Sequence, residues 1–181
     1  LIGKDPSDQK IMDDILAKLD DSIDRTKLGV NIILATSLAV CKAGAGAKKV
    51  PLYRHIADLS DSGDQLCLPV PVFNVISGGI DASNSLPFKE LCIIPTGAAS
   101  VKEGILMVSK IVTKVKELIV EKFGQENLKL CDEIDGTLSP TGIESIDECL
   151  IILSEAVEAL ELNETVKFMI DIDGSRFYSV T

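Results

Sequence analysis

The chain has 181 residues, a formal net charge of −10 and a hydrophobic fraction of 46%. A chain this apolar can bury enough surface to fold, which excludes an intrinsically disordered protein. Its acidic balance, without a cluster of lysine and arginine, argues against binding to nucleic acid or to an anionic membrane surface. We find no run approaching the roughly 20 apolar residues of a membrane-spanning helix and no signal pattern at the start. We therefore expect a soluble, intracellular protein.

The first third of the chain predicts helices. Apolar residues at spacings of three and four predict one helix over residues 5–19 and a second over about 30–43. The glycine cluster at 44–46 is expected to end the second helix. A short third helix begins at Pro51 and carries Leu52, Ile56 and Leu59. We assign residues 1–66 to this first, helical domain.

From residue 67 onward, predicted strands and helices alternate, in a second domain that covers 67–181. Runs rich in β-branched residues predict strands at 68–76, 88–94, 128–131 and 166–170. Two long helices, at 101–123 and 146–162, each begin with a capping box, Ser100 with Glu103 and Ser145 with Glu148. This alternation is typical of right-handed parallel crossover units, so the predicted fold class is α/β.

The glycines and cysteines carry no recognisable binding motif. Gly78-Gly79 lacks the third glycine and the following helix of a dinucleotide-binding turn. The five cysteines show no two-residue spacing of the kind that zinc or redox sites use: Cys41, Cys67, Cys92, Cys131 and Cys149. We expect them to be buried free thiols that pack as small hydrophobic residues.

Acidic residues lie in or at the ends of the predicted strands. Glu90 lies in the second strand, Asp132-Glu133 close the third, and Asp171 and Asp173 close the fourth. In a parallel barrel the C-terminal strand ends meet at one mouth, where such barrels place their chemistry. Carboxylates that share a mouth repel one another unless a cation lies between them, and Mg²⁺ is the natural candidate. The alternative is that these acids cap helices or face solvent. This alternative is best supported for Asp173 and Asp135, because aspartate is common in turns and caps.

The single histidine does not belong to this mouth. His55 lies in the short third helix without a second histidine, cysteine or carboxylate at ligand spacing. We expect it to be a structural or surface residue. A serine hydrolase triad therefore has no support in this chain.

Four collinear segments of the sequence resemble enolase. They read GVNIILATSLAVCKAG from residue 29, VPLYRHIADL from 50, LPVPVFNVI from 68 and CDE from 131. The resemblance implies part of an enolase-type β/α barrel preceded by helices of an α+β capping domain. It also implies a cytoplasmic, dimeric lyase of glycolysis that reversibly dehydrates 2-phosphoglycerate to phosphoenolpyruvate with Mg²⁺.

The same resemblance implies roles for individual residues. By position, Asp171 matches the first of three carboxylates that hold the tightly bound Mg²⁺. Glu133 matches the glutamate that assists departure of the hydroxyl group, and Glu90 matches its neighbour in the acid network. These are the candidate metal and catalytic residues of the chain.

Other positions depart from the family pattern. Where the family has Ser-His-Ala-Gly after the two glycines, this chain has Ile-Asp-Ala-Ser, so Asp81 replaces the histidine of the substrate loop. Lys89 replaces a glutamine, and Ile134 and Asp135 replace two glycines. A carboxylate in place of imidazole beside an anionic substrate costs roughly 1–4 kcal/mol of Coulomb energy. Loss of glycine can also forbid a backbone conformation that only glycine reaches cheaply.

Two functional hypotheses follow. The family's further metal carboxylates, its lysine base and its phosphate-binding arginine and serine have no counterpart up to Thr181, so we expect this chain alone to be inactive. Under the first hypothesis, lyase activity resides in the complete polypeptide. Under the second, the protein is a catalytically degenerate, enolase-like assembly partner. An incomplete barrel would expose an apolar sheet edge, which favours a homodimer or larger assembly under either hypothesis.

Overall fold

The computed structural model describes residues 1–60, 62–63, 65–79, 82, 84–131 and 136–174. Two compact units divide the chain, Leu1–Leu68 and the segment that begins at Pro69. Helices form the first unit and a mixture of helices and strands forms the second. The α/β class predicted from the sequence is therefore present.

Described helices of the first unit are α1 (Gln9–Leu19), α2 (Val30–Lys48) and α3 (Leu52–Leu59). Helix α1 is amphipathic and buries Met12 and Leu16, because these residues lie one turn apart on the same face. Helix α2 packs against both α1 and α3. All three predicted helices are present, but α1 begins at Gln9 and not at residue 5, and α2 extends beyond its predicted C-terminal end.

Helix α2 continues through the glycine cluster that we expected to end it. It reaches Lys48, and Lys49 then adopts a left-handed conformation with φ of 55°. Gly44 is buried, and a Cβ atom there would lie 2.5 Å from the carbonyl oxygen of Pro6. The prediction was wrong because this glycine allows a neighbouring segment to approach the helix closely, a tertiary role that spacing does not reveal.

Helix α2 also corrects the expectation that nothing approaches a membrane span. By length and composition it could cross a membrane, and no other helix among the described residues meets that criterion. Serine, threonine and glycine residues interrupt its apolar sequence, which is why a search for a continuous run passes over it. Core helices of soluble proteins and signal sequences near the N-terminus meet the same criterion, so a single such helix is weak evidence.

Strands of the second unit are β1 (Phe73–Ser77), β2 (Glu90–Ile94) and β3 (Lys167–Asp171), in the order β1-β2-β3 within the described residues. Its helices are α4 (Val101–Phe123), a short 3₁₀ helix (Gln125–Asn127) and α5 (Ile146–Ala159). Helices α4 and α5 pack together, and their buried faces share one hydrophobic core with strands β1 and β2. Ile76, Ile111 and Leu153 are among the fully buried members of this core.

Both predicted capping boxes mark the start of a helix. Ser100 Oγ accepts a hydrogen bond from Glu103 N at 3.2 Å, and α4 begins at the next residue. Ser145 Oγ accepts from Glu148 N at 3.2 Å, and the Glu148 carboxylate accepts in return from Ser145 N. Gly124 follows the last residue of α4, as predicted, with φ of 93°. Helix α5 ends at Ala159, slightly before the predicted end.

Strand direction is where the sequence prediction was wrong. Strand β2 pairs antiparallel with both β1 and β3, and not in parallel crossover units. The segment that joins β1 to β2 contains no α-helix among its described residues, and a connection without a crossover helix favours an antiparallel pair. The predicted strand at 128–131 is reduced to an isolated bridge between Leu130 and Leu138, while Leu138 also bridges to Ile76 in parallel.

Strand β3 is exposed along its whole length. It pairs with β2 on one side, and Phe168, Met169 and Ile170 each leave more than a third of their surface accessible. An apolar, exposed edge of this kind agrees with the expectation from an incomplete barrel.

Candidate active site

The candidate site is centred on a row of three residues across one end of the sheet. The register places Glu90, the first residue of β2, opposite Ser77 of β1 and opposite Asp171 of β3. Residues directly opposite one another in antiparallel strands share a face, with Cβ atoms about 4.5–5.5 Å apart. The structure therefore brings two of the sequence-predicted acids together, although Glu90 lies at the N-terminal end of an antiparallel strand and not at the C-terminal end of a parallel one.

The backbone on either side of this row is fixed by further hydrogen bonds. Lys89 N donates to the carbonyl oxygen of Asp171 at 2.8 Å, and its own carbonyl oxygen accepts from Gly78 N at 2.9 Å. A Cβ atom on Gly78 would lie 2.5 Å from the carbonyl oxygen of Phe88. Glycine at position 78 is therefore required by the close approach of the two chain segments that form the site.

The negative charge of the row helps to raise the pKa of a buried thiol beside it. Cys92 Sγ lies 3.9 Å from Glu90 Oε2, and the cysteine is 1% exposed. Burial, together with the negative charges of Glu90 and Asp171, raises the pKa of Cys92 to about 11. The two carboxylates thus form a local negative field, which is the electrostatic setting expected of a cation site.

Next to the row lies a cavity of about 290 Å³, between the β1–β2 loop and the segment after β3. Its described lining includes Gly78, Gly79, Asn84, Lys89 and Asp173. Neither Glu90 nor Asp171 belongs to that described lining, so the cavity adjoins the carboxylate row without being formed by it.

Sequence analysis did not single out Asn84, which organises this loop. Its Nδ2 donates to the carbonyl oxygen of Ser77 at 3.0 Å and to Ser139 Oγ at 3.1 Å. Its Oδ1 accepts from Gly79 N at 3.1 Å and from Leu86 N at 3.2 Å. An asparagine shortly after two glycines is typical of a side chain that closes a turn, and that signal could have identified it.

Two carboxylates are suitable but insufficient ligands for a divalent cation. Their hard oxygen donors fit Mg²⁺, which takes oxygen ligands. Within the part of the chain that the structure describes, no group of three or more His, Cys, Asp or Glu residues could hold a metal ion. Several of the sequence-predicted positions, namely Asp81, Asp132, Glu133, Ile134 and Asp135, lie outside the described residues. The carboxylate of Asp171 therefore suits a metal only together with ligands from outside the described residues.

The remaining expectations concern the histidine and the thiols. His55 is fully buried in the first unit, and neither of its ring nitrogens has a hydrogen-bond partner among the described residues. Cys92, Cys131 and Cys149 are buried, as predicted, whereas Cys67 is exposed and Cys41 is partly exposed. None of these cysteines forms a disulfide.

Comparison with known proteins identifies the family. Residues 65–181 match the family model described as "Enolase, C-terminal TIM barrel domain", and residues 1–56 match "Enolase, N-terminal domain". These matches define the class of protein as a barrel segment of the enolase type that follows part of an N-terminal domain.

An enolase from Solanum lycopersicum is 42% identical to this chain over 184 residues, an alignment that covers 98% of the chain and 40% of the tomato protein. The chain belongs to the enolase family. It spans about two fifths of the length of this relative. The resemblance drawn from the sequence motifs and the predicted fold class are confirmed.

Proposed function

We propose that the complete polypeptide catalyses the enolase reaction, the reversible dehydration of 2-phosphoglycerate to phosphoenolpyruvate in glycolysis. The observation that carries this proposal is the pairing of Glu90 with Asp171 across β2 and β3. Like charges directly opposite one another destabilise a sheet unless a cation offsets them, so their retention favours a functional role. We further propose a cytoplasmic homodimer.

In this proposal each acid has a separate task. Asp171 would hold Mg²⁺ together with carboxylates from other parts of the complete protein. When bound, the ion would stabilise negative charge on the substrate carboxylate as the carbon proton is removed. Glu133 would donate a proton to the departing hydroxyl group. Glu90 would be the neighbour of Glu133 in the network of acidic residues.

A second candidate function is supported by the substitutions in the substrate loop and its surroundings. Asp81 in place of histidine adds a negative charge where the substrate is anionic, and Asp135 adds another near Glu133. The chain would then be a degenerate, enolase-like protein that keeps the fold for assembly. The exposed apolar strand β3 is consistent with a surface that another element or subunit covers.

The two candidates differ in one assay. We would follow phosphoenolpyruvate formation by ultraviolet absorbance with 2-phosphoglycerate and added Mg²⁺, on the longest natural form of the polypeptide. Activity that is lost in Glu133→Gln would support the enolase proposal and would show that Asp81 is tolerated. If neither the unaltered protein nor Asp81→His forms phosphoenolpyruvate although both are folded, the enolase proposal is refuted and the assembly function is left.

A further inference from the structure

Charge is divided unevenly between the two long helices of the second unit. Helix α4 carries five lysines and three glutamates, whereas residues 144–164, which include α5, contain seven acidic residues and no lysine or arginine. The two helices pack side by side, and Lys122 Nζ donates to Glu155 Oε1 across them at 2.6 Å. A basic surface and an acidic surface therefore lie next to each other on this unit.

The basic surface has an exposed apolar residue at its centre. Leu106 of α4 leaves 55% of its surface accessible. Lys102 and Lys110 are both exposed and lie one turn before and one turn after it, so the three share one face of the helix. Further along α4, Glu117 is already paired, since its carboxylate accepts from Lys114 Nζ at 2.9 Å. We call Lys102, Leu106 and Lys110 the basic patch.

The acidic surface is built in the same way. Ile151 of α5 leaves 53% of its surface accessible. Asp147 lies one turn before it and Glu158 two turns after it, and Glu161 follows the end of the helix; all three acids are exposed. We call these four residues the acidic patch. An apolar centre with a charged rim is the composition of a protein–protein interface.

We propose that the basic patch of one copy of this chain docks on the acidic patch of a second copy. The lysines of one copy face carboxylates of the other, while Leu106 and Ile151 are removed from water. A second copy fits because every copy carries both patches, so each offers the charge that the other lacks.

The size of this surface sets the strength of the contact. Helices of 23 and 14 residues, at about 1.5 Å per residue and about 10 Å between axes, present a face of roughly 500–600 Å². A standard interface buries about 800 Å² on each partner. We therefore expect a weak contact that depends on protein concentration and on salt. The inference rests on the proposed homodimer, for which it names a surface, and it does not depend on turnover.

The test is sedimentation velocity at low salt over a range of protein concentrations, on the longest natural form of the polypeptide. One variant, Lys102→Glu with Lys110→Glu, reverses the basic patch. Another, Glu158→Lys with Glu161→Lys, reverses acids at the end of α5, where lysine complements the helix dipole. We expect each variant alone to self-associate at least tenfold more weakly than the unaltered protein, because like charges then face one another.

Mixing the two variants separates charge complementarity from damage to the fold. The first variant keeps the acidic patch and the second keeps the basic patch, so an equimolar mixture should associate about as tightly as the unaltered protein. Lys10→Glu with Lys42→Glu is the matched control, because it reverses two exposed lysines of the first unit and changes the net charge equally. This control should leave self-association unchanged, and added salt should weaken self-association of the unaltered protein.

Three results would overturn the proposal, with circular dichroism showing every form folded. If both reversed variants self-associate as tightly as the unaltered protein, the patches are not the contact, although the homodimer proposal stands. If the mixture associates no better than either variant alone, charge complementarity is not the cause. If the unaltered protein is a monomer at every concentration, this surface and the homodimer both fail, while the phosphoenolpyruvate assay still decides the catalytic proposal.

Discussion

Two glycines of helix α2, separated by a single residue, differ sharply in their surroundings. Gly44 is buried, and a Cβ atom there would lie 2.5 Å from the carbonyl oxygen of Pro6 and 2.9 Å from His55 Nε2. Gly46 has nothing within 4 Å of the corresponding position. The same substitution, glycine to alanine, thus meets a clash at one position and open space at the other.

The expected free energies follow from these distances. Replacing glycine by alanine in a helix interior stabilises the helix by roughly 0.5–1 kcal/mol, and this gain applies at both positions. At Gly44 it is opposed by overpacking of about 1–3 kcal/mol, since the Pro6 oxygen belongs to the backbone and cannot rotate away as a side chain could. The helix gain cancels in the comparison, so Gly44→Ala should be about 1–3 kcal/mol less stable than Gly46→Ala.

Hydrogen exchange followed by mass spectrometry would measure the difference locally. Peptides from residues 30–59 report the opening of α2 and α3, and urea unfolding followed by circular dichroism gives the global stability. We expect faster exchange in Gly44→Ala and slower exchange in Gly46→Ala, relative to the unaltered protein. Equal exchange in the two variants would refute the close approach of Pro6 to α2.

Two further predictions concern titrating groups. Burial alone would raise the pKa of Asp20, but hydrogen bonds, chiefly from Leu28 N, hold it below its ordinary 3.8. Asp20 therefore adds to the free energy of unfolding above its unfolded-state pKa, and this contribution is lost as pH falls through the folded-state pKa. Asp20→Asn should make the free energy of unfolding depend less on pH below about pH 4. An unchanged dependence on pH would contradict this. Burial raises the pKa of Cys92 to about 11 and of Cys149 to about 12. At about pH 8 a disulfide reagent should therefore modify exposed Cys67 first, and early modification of either buried thiol would refute this order.

The helix starts of the second unit could be read from the sequence, because a capping box acts within a single helical turn. Ser145 and Glu148 satisfy one another's backbone groups, and no distant residue takes part. The end of α2 could not be read in the same way. Whether Gly44 ends a helix or admits a neighbour depends on Pro6, which only the folded chain brings to it.

Two acidic residues of the site could be predicted from the sequence, but the way in which the strands bring them together could not. Glu90 and Asp171 were identified as strand-end acids, and they do lie side by side. The direction of β2 was predicted wrongly because the side-chain period of two is common to parallel and antiparallel strands. Asn84 was missed although its place after two glycines indicates a turn, and only its hydrogen bond to Ser139, far along the chain, lay beyond sequence reasoning. The roles of Asp81 and Glu133 stay predictions.

The central position of β2 also sets an order of assembly. Its pairing with β1 joins neighbours in the sequence, whereas Ile94 and Lys167 pair across 72 intervening residues. Closing a loop of that length costs more chain entropy than closing a hairpin, and local contacts form first. We therefore expect Glu90 to meet Ser77 early in folding and Asp171 late. The two carboxylates would then be forced together only after packing of α4 and α5 has supplied the free energy to hold them.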